Sequence, residues 1–69
     1  MAKTSKTKQN IEILTNPLEN PARREKALDN LATLGNPEAI RAIGRRAQDP
    51  LELPRIRNRA LGCLARKRS

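Results

Sequence analysis

One segment of this chain occurs twice. Residues 16–33 align with residues 49–66 at an offset of 33, and nine of the 18 paired positions are identical: Pro17/Pro50, Leu18/Leu51, Glu19/Glu52, Pro21/Pro54, Arg24/Arg57, Ala27/Ala60, Leu28/Leu61, Leu31/Leu64 and Ala32/Ala65. Unrelated segments of ordinary composition would share about one or two. The match also preserves role, because prolines pair with prolines and apolar positions with apolar positions. A chain of 69 residues that passes twice through one pattern has room for two similar units, each needing a neighbour to cover its apolar side.

The punctuation of the pattern is helical. Pro21 and Pro54 suit the first helical position, where a missing N–H is no loss, and Asn20 precedes Pro21 as an N-cap. Gly35 stops the helix. Asn36-Pro37-Glu38 starts the next with a cap, a proline and an acid favourable to the helix dipole, and Asp49-Pro50 ends it. Ala27, Leu28, Leu31 and Leu34 lie at i, i+1, i+4 and i+7, and Ile40, Ile43 and Ala47 at i, i+3 and i+7. Ile56, Ala60, Cys63 and Leu64 form an equivalent stripe, so each helix is apolar on one side. These signals predict a flexible basic tail over 1–8 and one helical domain over 9–69. Its helices are expected at about 9–15, 21–34, 37–47 and 54–66. The expected fold is all-α, with about four short helices in stacked antiparallel αα-hairpins, since links as short as Gly35-Asn36 turn consecutive helices back on each other.

Composition narrows the chemistry. With no Phe, Trp or Tyr, the core must be a thin layer of Leu, Ile and Ala. One cysteine and no histidine leave no internal disulfide and no ligand set of the usual Cys/His metal kind. There is no Ser/His/Asp arrangement, no Gly-rich phosphate loop and no paired carboxylates, so a non-enzymatic protein without cofactor or metal is expected. Glu12, Glu19, Glu25, Asp29, Glu38 and Glu52 read as caps and salt-bridge partners. No apolar run approaches the roughly 18–20 residues of a membrane span, and the polar start lacks the apolar centre of a secretory signal. A cytoplasmic location is the expectation.

The pattern resembles HEAT-like repeats, particularly the short type of phycobilisome-lyase HEAT-like proteins. That family reads as an Asp-Pro turn, then Val-Arg-x-x-Ala-x-x-Ala-Leu, then Gly and a second helix. Asp49-Pro50 matches the turn and residues 56–64 match the helix, with Cys63 in the second alanine slot. In the upstream copy Asn16, Arg23 and Asn30 replace the Asp, the Val and the second Ala. The resemblance covers about residues 10–66 and implies a right-handed solenoid fragment. It also implies an architectural role for Arg24 and Arg57, with Asp49 as a partner for Arg57, and a small-residue packing slot for Cys63. Members serve protein scaffolding, DNA binding and tetrapyrrole-lyase assemblies, so the fold does not select among them.

Charge supplies the functional expectation. Fifteen Lys/Arg against seven Asp/Glu give +8; residues 1–34 carry net +2 and residues 35–69 net +6. Arg41 and Arg45 are four apart, as are Arg55 and Arg59, so each pair shares a helix side. Arg46, Arg66 and Lys67 extend the two sets. These seven residues form the expected surface for an anionic partner, against the plainer reading of a solvated, solubilising exterior. Lys3, Lys6 and Lys8 belong to the tail, which reads as a disordered terminus before it reads as a phosphate-binding arm. The leading expectation is a scaffold-type protein–protein interaction module, with an acidic protein or a second copy as partner. A nucleic-acid-binding protein contacting duplex DNA or structured RNA phosphates is the alternative, single-strand stacking being disfavoured without aromatics. A third reading, implied by the resemblance alone, is an accessory role in tetrapyrrole or light-harvesting protein handling.

Overall fold

The computed structural model describes residues 5–68, with side chains for residues 5–66. It is all-α: α1 spans Lys6–Thr15, α2 Pro21–Leu34, α3 Pro37–Gln48 and α4 Pro54–Arg68. Each start has a local cause. Asn20 Oδ1 accepts from the Ala22 N–H (2.8 Å) and Asn36 Oδ1 from the Ala39 N–H (2.8 Å), each beside a proline in the first turn. Gly35 adopts the left-handed conformation (φ 64°) and donates its N–H to the Leu31 carbonyl at 2.9 Å. That conformation costs little only without a Cβ, and it turns the chain from α2 directly into α3.

Helix α1 begins three residues before the expected start. The hydroxyl of Ser5 caps it by accepting from the Lys8 N–H at 3.1 Å, so Lys6 and Lys8, expected in the tail, lie in its first turn. Thr7 is buried and accepts from Asn36 Nδ2 at 2.9 Å, which ties α1 to the start of α3. Residues 1–4 of the expected tail, Lys3 among them, lie outside the described residues.

α1 packs on α2 and α3 on α4, giving two antiparallel hairpins. The hairpins stack with α1 against α3 and α2 against both α3 and α4; α1 and α4 do not touch among the described residues. The result is two layers, α1/α3 and α2/α4. The core between them is Leu14, Leu28, Leu31, Ile43 and Ile56, closed by Ala27, Ala39, Ala47, Ala60 and Cys63. Small residues make up half of this set and let the helices approach closely where no aromatic ring is available to fill space.

The turns inside the two hairpins share three hydrogen bonds. Asn16 Oδ1 accepts from Leu18 N–H (3.0 Å) and Asp49 Oδ1 from Leu51 N–H (2.9 Å). The carbonyls of Asn16 and Asp49 accept from Glu19 and Glu52 N–H, both at 3.1 Å. Glu19 Oε1 accepts from Asn20 N–H (3.1 Å) and Glu52 Oε1 from Leu53 N–H (3.0 Å). Asn replaces Asp without altering the turn because either side chain offers the acceptor. The paired leucines are not core residues: Leu18 and Leu51 are 92% and 93% exposed.

Candidate functional site

The basic residues are divided between the two layers and among three situations. The first is a buried cluster between the hairpins. Arg24, near the start of α2, donates from Nε to the Leu14 carbonyl (2.9 Å) and from a terminal nitrogen to Glu52 Oε2 (2.6 Å). The side chains of Arg24 and Glu52 are each 4% exposed. Arg46 donates to the same carboxylate oxygen at 3.1 Å and lies 3.5 Å from Asp49. Burial alone would raise the Glu52 pKa, but hydrogen bonds from Arg24, from the Leu53 N–H and from Arg46 outweigh it and hold the carboxyl below its ordinary value. The Asp49–Arg57 pair implied by the family resemblance is not formed. Asp49 Oδ1 is occupied by its own turn, and its second oxygen faces Arg46, three residues upstream.

The second situation is an ionic seam on the α2/α4 layer. Arg55 pairs with Glu25, and Arg59 forms a two-pronged pair with Asp29 at 2.9 and 2.6 Å while also lying 3.6 Å from Glu25. The hydrogen bond from Arg59 is the main cause of a lowered Asp29 pKa, and the same bond raises that of Arg59. Arg66 continues this side, donating to Cys63 Sγ at 3.5 Å. Cys63 itself is buried in the core as a free thiol, in keeping with a packing role. The side chain of Lys67 lies outside the described residues.

The third situation is the α1/α3 layer. Arg41 and Arg45 are exposed there and make no ion pair with any described residue. They line a shallow groove with Arg46, Ile11, Ala42 and Glu38. The arginines expected to form one surface therefore lie on two separate layers. Arg55 and Arg59 are held by acids of α2, Arg46 by acids of the adjoining turn, and Arg41 and Arg45 face solvent.

Sequence reading did not single out Glu52 as the junction between hairpins. Its partner Arg24 lies 28 residues away, and no local spacing reports such a pair. The available signal was the repeat itself, which keeps a glutamate in both turns and an arginine in both following helices. Five of the seven acidic residues (Glu19, Glu25, Asp29, Asp49 and Glu52) are in ion pairs.

Among the described residues no group of three or more His, Cys, Asp or Glu side chains could hold a metal ion. No helix among them is long and apolar enough to cross a membrane. Compared with known proteins, the chain matches no family model, no curated protein and no solved structure.

Proposed function

We propose that the chain is a non-catalytic, HEAT-like interaction module that binds an acidic protein segment in the α1/α3 groove. The observation that carries this reading is the state of Arg41 and Arg45: exposed, one helical turn apart, and without an ion pair among the described residues. Folding has engaged the acids that could neutralise the α4 arginines and has left these two available. A guanidinium pair at this spacing suits two carboxylates on one side of a partner helix.

A protein partner is favoured over nucleic acid by the rest of the groove. Ile11 and Ala42 supply apolar contact that a phosphate backbone does not use. Leu18 and Leu51, in the turns that follow α1 and α3, are exposed apolar side chains that phosphate does not use.

The test is a titration of the intact protein with a labelled helical peptide of alternating Glu and Leu turns, and with a DNA duplex, at two salt concentrations. Peptide binding that Arg41→Ala/Arg45→Ala weakens, and that exceeds duplex binding at the higher salt, supports the reading. Tighter duplex binding with a steep salt dependence replaces it with a nucleic-acid function.

A further inference from the structure

The two hairpins are alike in sequence but differ in which residues they bury, and the differences fall into two sets. One set is more buried in the second hairpin. Ala39, Ile43, Ile56 and Cys63 are core residues there, while their counterparts 33 positions earlier, Lys6, Asn10, Arg23 and Asn30, are polar and lie at or near the surface. These positions look back toward a preceding unit, and in the first hairpin they carry side chains suited to water. The side of the first hairpin that faces away from the second thus carries polar residues.

The other set is more buried in the first hairpin. Leu28 is fully buried, whereas its counterpart Leu61 is 51% exposed. Leu31 is buried and Leu64 only partly so; Ala32 is partly buried and Ala65 exposed; Arg24 is buried and Arg57 half-buried. These positions look forward, and in the first hairpin the second hairpin covers them. Here the residues have not changed to polar ones. All four pairs are identical, so the outer side of the second hairpin keeps the surface that the first uses to hold its neighbour.

Arg57 shows the same incompleteness at atomic level. Arg24 Nε donates to a carbonyl and its terminal nitrogen to Glu52 of the following turn. Arg57 Nε is buried with no hydrogen-bond partner, and Arg57 makes no ion pair with a described residue. In the first copy it is the terminal nitrogen of Arg24 that meets a glutamate on the neighbouring hairpin's turn, and no described carboxylate stands at the equivalent place for Arg57.

We propose that the outer side of the α3–α4 hairpin, formed by Arg57, Leu61, Leu64 and Ala65, docks a further helical hairpin whose inter-helix turn supplies a carboxylate to Arg57. Two things identify the occupant: charge complementarity at Arg57, and continuity with the interface already formed inside the chain, where Leu28, Leu31 and Arg24 hold a hairpin carrying Glu52. A second copy docking by its N-terminal end fits poorly, because it would set Asn10, Arg23 and Asn30 against leucines. The proposal extends the protein-binding reading but uses a different surface from the Arg41–Arg45 groove.

The test appends a copy of residues 35–69 directly after Lys67, which preserves the 33-residue period. Docking predicts that the Leu61 methyl and Arg57 Nε–H resonances shift, that the α4 amides exchange more slowly, and that the extended chain unfolds in one transition at a higher urea midpoint. Changing the appended copy of Glu52 to Gln lowers that midpoint again. Leu61→Asp leaves the original chain folded, because the site is exposed, yet undocks the appended hairpin. Unmoved Leu61 and Arg57 resonances, or an appended segment that exchanges as unfolded chain, overturn the proposal. So does a concentration-dependent dimer of the original chain that Leu61→Asp abolishes, since a second copy would then be the occupant. Arg41→Ala/Arg45→Ala in the extended chain leaves docking intact, so failure of the groove reading and failure of this one are distinguishable.

Discussion

Arg24 and Glu52 form a 2.6 Å ion pair buried at both ends, and it joins the two hairpins across 28 residues of sequence. Three donors converge on the carboxylate: Arg24 and Arg46 on one oxygen, the Leu53 N–H on the other. A buried pair of this kind adds little net stability compared with an apolar pair of the same shape, because both charges lose their hydration. What it does is make the stacking specific. A slipped or rotated second hairpin would leave Arg24 charged and unpaired inside the protein.

Glu52→Ala is therefore expected to destabilise the protein by about 3 kcal/mol or more, the usual result of orphaning one member of a buried pair. A domain of this size has a total stability of roughly 5 kcal/mol, so the variant should be largely unfolded on mild warming. The double variant Arg24→Met/Glu52→Leu should recover most of the loss. Without aromatic residues to report fluorescence, urea unfolding followed by far-ultraviolet circular dichroism is the measurement. Equal loss in the single and double variants would contradict a pairwise role.

Acid should weaken the fold through the same carboxylate. Glu52 and Asp29 have pKa values below their ordinary 4.5 and 3.8, so both bind protons more weakly when folded than when unfolded. Their contribution is complete above those ordinary values and is lost as pH falls through the lower folded ones. The urea midpoint should hold steady from neutral pH down to about 5 and then decline. Glu52→Gln should start lower at neutral pH and decline less steeply in the acid range. An unchanged acid slope in Glu52→Gln would show that this carboxylate does not carry the effect.

Helix identity was legible because helix punctuation is local. Pro21, Pro37, Pro54 and Gly35 act within one turn of themselves, and α2 begins and ends where those residues place it. The N-terminal helix was less legible. Ser5 is one polar residue in a polar stretch, and buried Thr7 is met by Asn36 from 29 residues later. The site was legible as a set of arginines but not as an arrangement. Helical spacing says that Arg55 and Arg59 share a side, and nothing local says that Glu25 and Asp29 of another helix face them. Arg41 and Arg45 have the same spacing and no such acids opposite, a difference that only the stacking of α2 on α4 creates.

Two glycines should respond in opposite directions to the same change. Gly35 sits at positive φ in the αL cap, so Gly35→Ala should cost about 1–2 kcal/mol. Gly62 lies inside α4, and an added Cβ there would meet nothing within 4 Å. Gly62→Ala should stabilise by about 0.5–1 kcal/mol, the usual helix-interior difference. Thermal unfolding of the two variants beside the parent checks both. A stabilised Gly35→Ala would mean that the α2–α3 link does not use the left-handed cap.

The division of the arginines predicts that stability and binding separate. Arg59→Ala removes the two-pronged pair with Asp29 and should lower the unfolding midpoint while leaving acidic-peptide binding unchanged. Arg41→Ala/Arg45→Ala touches no internal ion pair, so each change should stay within about 0.5 kcal/mol of the parent in stability. Binding of the acidic helical peptide should weaken about tenfold in that double variant, since each exposed charge contributes up to about 1 kcal/mol. Raising the salt should narrow the gap between variant and parent, because exposed charges are screened over about 10 Å at ordinary ionic strength. Urea unfolding and peptide titration on the same preparations give both readouts. The groove assignment fails if Arg59→Ala weakens peptide binding as much as the Arg41/Arg45 variant does, because the α2/α4 side would then share the site.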